Sequence, residues 1–110
     1  MLHDTIERIE HEILDNKTMS DKQRKDLIEL LGSLRNEINE LNESHSEEAL
    51  SIAKMTEASV QVASRTTPDL ELLEHSLAGM KLSTRSFEVS HPKLVGVINT
   101  IGQTLSNIGI

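Results

Sequence analysis

The sequence predicts an all-α protein of four or five amphipathic helices. They form an N-terminal antiparallel helical hairpin, coiled-coil-like, followed by a C-terminal helical unit. Three observations carry this. Large apolar residues recur at steps of 3 and 4 along most of the chain, which is the helix period. The alternation expected of strands is nearly absent. The apolar content is Leu, Ile, Val, Met and Ala, with Phe87 as the one aromatic among 110 residues. These side chains interlock well between helices but offer little for stacking a base or a sugar.

The first helix is read from Leu2, Ile6, Ile9 and Ile13, which step by 4, 3, 4 with charges between them. Asn16-Lys17-Thr18-Met19 reads as a turn. Ser20 then suits an N-cap, with Asp21 in the first turn and Gln23 at the capping-box position. The second helix follows on Leu27, Leu31, Leu34, Ile38 and Leu41, with Asp21 and Lys25 as a favourable i,i+4 pair. Gly32 is its weak point, costing about 1 kcal/mol relative to Ala. A short loop between matching seams implies that these two helices pair antiparallel.

A break is expected between Asn42 and Ser46. Glu43 and Glu47 repel at i,i+4, and Ser44 with Glu47 reads as a capping box. From Ser46 to Ser64 the composition turns to Ala and Ser, with Ile52, Met55, Ser59 and Val62 as the seam of a third helix. Arg65-Thr66-Thr67-Pro68-Asp69 punctuates the chain: Thr67 is expected to cap, Pro68 to take the first helical position and Asp69 to sit in the first turn. A fourth helix is read on Leu70, Leu73, Leu77 and Met80, weakened toward Ser83-Thr84, and Phe87 falls seven residues beyond Met80. The last helix starts at Ser90-His91-Pro92. Leu94, Ile98, Ile101, Leu105 and Ile108 step by 4, 3, 4, 3 in a run without a charged side chain. Gly109 suits a left-handed stop at its end.

The whole, residues 1–110, reads as one helical domain, divided into an acidic hairpin (1–45) and neutral C-terminal helices (46–110). The net charge is −7. Residues 1–48 hold 13 acidic and 6 basic residues, whereas residues 49–110 hold 5 of each. The acidic part repels phosphates and the neutral part has no basic patch, so no nucleic-acid role is expected. The lack of cysteine excludes disulfides and thiolate chemistry and fits a reducing compartment. The charged N-terminus lacks the apolar stretch of a signal peptide, and no segment reaches the roughly 20 apolar residues of a membrane span. A cytoplasmic protein is the expectation.

Phe87-Glu88-Val89-Ser90-His91-Pro92-Lys93-Leu94, followed by a helix ending Ile108-Gly109-Ile110, resembles the C-terminal signature of a family of short bacterial proteins catalogued as a domain of unknown function, family 4404. The resemblance covers residues 87–110, is loose over residues 1–41 and does not reach residues 46–66. It brings no activity, cofactor or catalytic residue. What it implies is a small bacterial, cytoplasmic, helical protein.

Candidate chemistry is sparse. Glu7 with His11, and Glu71 with His75, stand at i,i+4, where carboxylate and imidazole could share a metal. The apolar seams point Ile6, Ile9, Leu73 and Leu77 inward instead, so a solvated surface is expected there and no metal or cofactor. The row Glu37, Glu40, Glu43 and Glu47 reads as a solvated face. The corner Phe87, Ser90, His91 and Pro92 reads as structural, with His91 as a cap between two helices; its alternative is a binding residue or a pH-sensitive latch. Ser90 next to His91 lacks any legible oxyanion hole, so it is no sign of a nucleophile. The stripe Leu94, Ile98, Ile101, Leu105 and Ile108 is the candidate interface, in the core or between subunits. The functional expectation is a non-enzymatic helical interaction or assembly protein, a homo-oligomer with a dimer favoured. Its alternative is peripheral membrane association through the amphipathic helix 93–108.

Overall fold

In the computed structural model, which describes residues 2–41 and 43–109, local chemistry sets most helix ends. The first helix, α1, is Leu2–Asp15, and α2 is Asp21–Asn39. Between them Asn16 organises the turn. Its Oδ1 accepts from the Thr18 and Met19 amides at 2.8 and 3.0 Å, and its Nδ2 donates to the Ser64 carbonyl at 3.0 Å. Arg24 reaches back and donates to the Asn16 and Met19 carbonyls at 2.8 and 2.7 Å. Ser20 caps α2 in a complete capping box with Gln23, satisfying two amides that a helix start leaves orphaned.

α2 stops at Asn39, two residues before the seam residue Leu41. A short 3-10 turn, Glu43–His45, then leads into α3, Ser46–Ala63. The expected break is present. The expected capping box at Ser44 is not: His45 precedes α3 and supplies no side-chain cap, because the 3-10 turn consumes Ser44. Asp69 caps α4, Leu70–Ser83, by accepting from the Leu72 amide at 3.1 Å. This corrects the reading of Thr67 as the cap and places Pro68 outside the helix. α4 ends before Phe87, which sits on a second 3-10 turn, Arg85–Phe87. Thr84 closes α4 by donating its hydroxyl to the Lys81 carbonyl at 3.0 Å. The last helix, α5, is Pro92–Gly109. Gly109 lies within it, and no described glycine has a positive φ. Its small size serves packing instead, since a Cβ there would come 2.5 Å from Leu73 Cδ2.

The five helices form a ring: α1 packs on α2, α2 on α5, α5 on α4, α4 on α3 and α3 on α1, with α3 and α5 also touching across it. The expected hairpin of α1 and α2 is there. Yet α2 packs more extensively on α5 than on α1, and α1 more on α3 than on α2. The acidic and neutral parts of the chain therefore share one core. Its members include Ile6, Ile9, Ile13, Leu27, Leu31, Leu34 and Ile38 from the hairpin, and Ile52, Met80, Phe87, Leu94, Ile98, Ile101 and Leu105 from the rest. The radius of gyration is 13.0 Å, about the 13 Å expected of a folded chain of this length. One chain thus closes its own core, and a second chain could add only to the outer faces.

α3 is buried more widely than its predicted seam. Ala49, Ala53, Val60 and Ala63 join Ile52 and Val62, and Thr56 and Ser59 are buried as well. Their hydroxyls donate to the Ile52 and Met55 carbonyls at 2.8 and 3.0 Å, so neither of these two is left unpaired. Short side chains let α3 approach α1, α4 and α5 together. Ion pairs brace the outside: Arg8 Nε donates to Glu57 Oε2 at 3.0 Å, linking α1 to α3, and Arg35 donates to Glu10 at 2.7 Å, linking α2 to α1. Asp21 pairs with Arg24, and Lys22 with Asp26 at 3.0 Å. The expected partner of Asp21, Lys25, is displaced because Arg24 is already held against the turn.

Candidate interaction site

Residues 84–91 make a sharp corner between α4 and α5. The Phe87 carbonyl accepts from the His91 amide at 2.8 Å, and the His91 carbonyl accepts from the Val95 amide at 3.4 Å. His91 thus stands immediately before α5, with Pro92 as the first helical residue, where a missing N–H is harmless. Ser90 Oγ and His91 Nδ1 are hydrogen bonded at 2.9 Å. Phe87 is 2 % exposed and meets two imidazoles. His91 meets it edge-to-face with centroids 5.6 Å apart and rings at 82°, and His45 does so at 5.3 Å and 83°. Such geometry suits the aromatic quadrupole. His45 is in turn 3.2 Å from Glu48 Oε2. The corner therefore clips the break between α2 and α3 to the break between α4 and α5. His45 was not singled out in the sequence. The signal for it was its place inside a predicted break, a position that does not say which aromatic lies nearby.

The apolar stripe of α5 faces inward. Leu94, Ile98, Ile101 and Leu105 are buried in the core of the single chain, and Ile108 packs against that core half-covered. The sequence pattern allowed core or subunit contact, and the fold uses these side chains as core. Beyond Lys93 in the first turn, the other face of α5 is neutral and polar, with Gln103 Nε2 donating to Asn107 Oδ1 at 3.1 Å. The carboxylate–imidazole pairs stay outside: Glu7 and His11 are exposed, and Glu71 lies 4.0 Å from His75 with both in solvent. Among the described residues no group of three or more His, Asp or Glu side chains is placed to hold a metal. Glu37 is half-buried, while Glu40, Glu43 and Glu47 are exposed.

What the sequence did not show is a groove on the outer surface between α4 and α5. One part is a depression of about 420 Å³ floored by Leu77, Met80 and Ile98, with Lys81, Asn99 and Gln103 at its rim. It continues past Leu77 and Ser106 to Leu70 and Glu74. The groove exists because α5 presents short side chains, Gly102 and Ser106, opposite Leu77. A Cβ on Gly102 would already stand 3.8 Å from Leu77 Cδ2. Leu70, expected on the inner seam, is 53 % exposed at the groove mouth. It heads α4, and the inner side of that turn is filled by Leu73, whose Cδ atom sits close to Gly109. A second depression, between α2 and α5, carries Asp26 and Glu29 at its edge and is less suited to an apolar guest.

The profile of a family described as Domain of unknown function (DUF4404) matches residues 71–110. The resemblance read from residues 87–110 is thereby supported. It widens to take in α4 except for its first residue, and so both walls of the groove. No curated protein and no solved structure matches this chain.

Proposed function

We propose, taking the family match over α4 and α5 as the premise, that this chain is a small non-catalytic helical interaction protein whose docking surface is the α4–α5 groove. The observation that carries this reading is the groove itself: an outward channel with an apolar floor, neutral on its α5 wall and open to Leu70 at one end. A helix could lay an apolar ridge there, in the manner of helix-in-groove recognition. Against peripheral membrane association, the apolar stripe of α5 is already taken up by the core. Beyond Lys93 in its first turn, α5 also lacks the Lys and Arg side chains that meet anionic lipids. No described helix is long and apolar enough to cross a membrane. An enzyme reading has less support, because Ser90 and His91 meet on an exposed corner and not in a cleft that could shelter a reaction. The reading needs no cofactor and takes the protein to be cytoplasmic, in line with the lack of cysteine.

The test is site-specific photocrosslinking in cells that make the protein. A photoreactive residue in place of Gln103, on the groove rim, should give discrete protein adducts, whereas one in place of His3 on α1 should not. No adduct from the Gln103 position, or the same adducts from both, would remove the groove as the docking surface.

A further inference from the structure

We infer that the groove is filled by a second copy of this chain, with α4 packing antiparallel against α4 of the partner across a two-fold axis at Leu77–Ala78. This rests on the proposed docking function and names its occupant. The argument is the order of charge along α4. Acidic residues, Asp69, Glu71 and Glu74, gather at its start, and basic residues, Lys81 and Arg85, at and just after its end. Among the described residues, Glu74, Lys81 and Arg85 have no ion-pair partner. Leu70, Glu74, Leu77 and Lys81 step by 4, 3, 4 and all line the groove.

Such an order is self-complementary in one direction only. Glu74 lies as far before the Leu77–Ala78 midpoint as Lys81 lies after it. Antiparallel pairing therefore sets Glu74 opposite Lys81 of the partner subunit, and by symmetry each such pair occurs twice. Leu70 and Arg85 are likewise equidistant from the midpoint, so Glu71, next to Leu70, comes within reach of Arg85 of the partner subunit. Parallel pairing would set like against like at every one of these positions. Between the charges, Leu77 faces Ala78 of the partner subunit across the axis, and the small side chain of Ala78 allows close approach. The α5 wall, with Asn99, Gly102, Gln103 and Ser106, adds no charge that would oppose the register. A foreign partner would not require α4 to be complementary to itself, whereas a second copy does.

The experiment uses the full chain and three variants, with mass read by light scattering and affinity by sedimentation equilibrium. Wild type should be a dimer at micromolar concentration. Glu74→Lys alone and Lys81→Glu alone each turn two attractions into two repulsions, and each should weaken dimerisation by about tenfold or more. Glu74→Lys/Lys81→Glu should restore it to within about threefold. An equimolar mixture of the two single variants should form a heterodimer. Both positions are exposed, so unchanged helical circular dichroism will show that folding is kept. A monomeric wild type, or a dimer indifferent to the single swaps, overturns the inference. If wild type is monomeric while crosslinks at the Gln103 position persist in cells, the dimer is overturned and the docking groove stands. If the crosslinks also vanish, both readings fall.

Discussion

Replacing Phe87 with Leu tests whether the His–Phe–His contact, or burial alone, secures the corner between α4 and α5. Phe87 is 2 % exposed and meets two imidazoles edge-to-face, with centroids at 5.3 and 5.6 Å. Phe87→Ala would lose burial and open a cavity, costing about 3–5 kcal/mol. The stability of a domain this size is on the order of 5–15 kcal/mol. Phe87→Leu keeps most of the buried area, so repacking alone should cost less than about 1.5 kcal/mol. Losing two edge-to-face contacts, each worth roughly 0.5–1.5 kcal/mol, brings the expected total to about 1–4.5 kcal/mol. The assay is urea unfolding followed by circular dichroism, with the slope checked for constancy. Two double-mutant cycles, pairing Phe87→Leu with His45→Ala and with His91→Ala, isolate the ring contacts. Each cycle should return a coupling of about 0.5–1.5 kcal/mol. If Phe87→Leu is as stable as wild type, or both couplings are zero, the rings merely lie near one another and the corner is held by its backbone hydrogen bonds.

Three further outcomes are expected. Ile101 is 1 % exposed in the core, so Ile101→Asp buries an unpaired carboxylate and should abolish cooperative thermal unfolding; retention of the native melting temperature would show that α5 is not core. Gly32 and Gly96 have nothing near an added Cβ, whereas one on Gly79 would collide with Met55 Cε. Gly32→Ala and Gly96→Ala should therefore each stabilise the fold by about 0.5–1 kcal/mol, and Gly79→Ala should gain less unless Met55 is also shortened. Burial, and after it the charge of Glu57, raises the Glu12 carboxyl above its ordinary value, against a lowering hydrogen bond from Gln61. A raised folded pKa contributes stability below the unfolded value of about 4.3 and loses it as pH climbs through the folded value. Glu12→Gln should thus be more stable than wild type near neutral pH, with the advantage shrinking toward about pH 4; an advantage that grows in acid would reverse the assignment.

The sequence by itself determined the helices, because each carries its own period and most carry their own punctuation. The capping box at Ser20, the break before α3 and the inward stripe Leu94–Ile98–Ile101–Leu105 are all local or periodic signals, legible without a neighbour. Ends that depend on competition between adjacent groups were less legible. Asp69 takes the cap from Thr67, and Arg24 takes Asp21 from Lys25. Only tertiary structure decided which helix meets which. A heptad-like stripe states that a partner exists and not whose it is, so α2 could lean on α5 and α3 could become a hub of small residues with no change in its pattern. The candidate site was hidden for the same reason. A groove is the space left between two helices, and the Phe87 clip is a meeting of residues from two separate breaks. Both are properties of juxtaposition, which no single segment encodes.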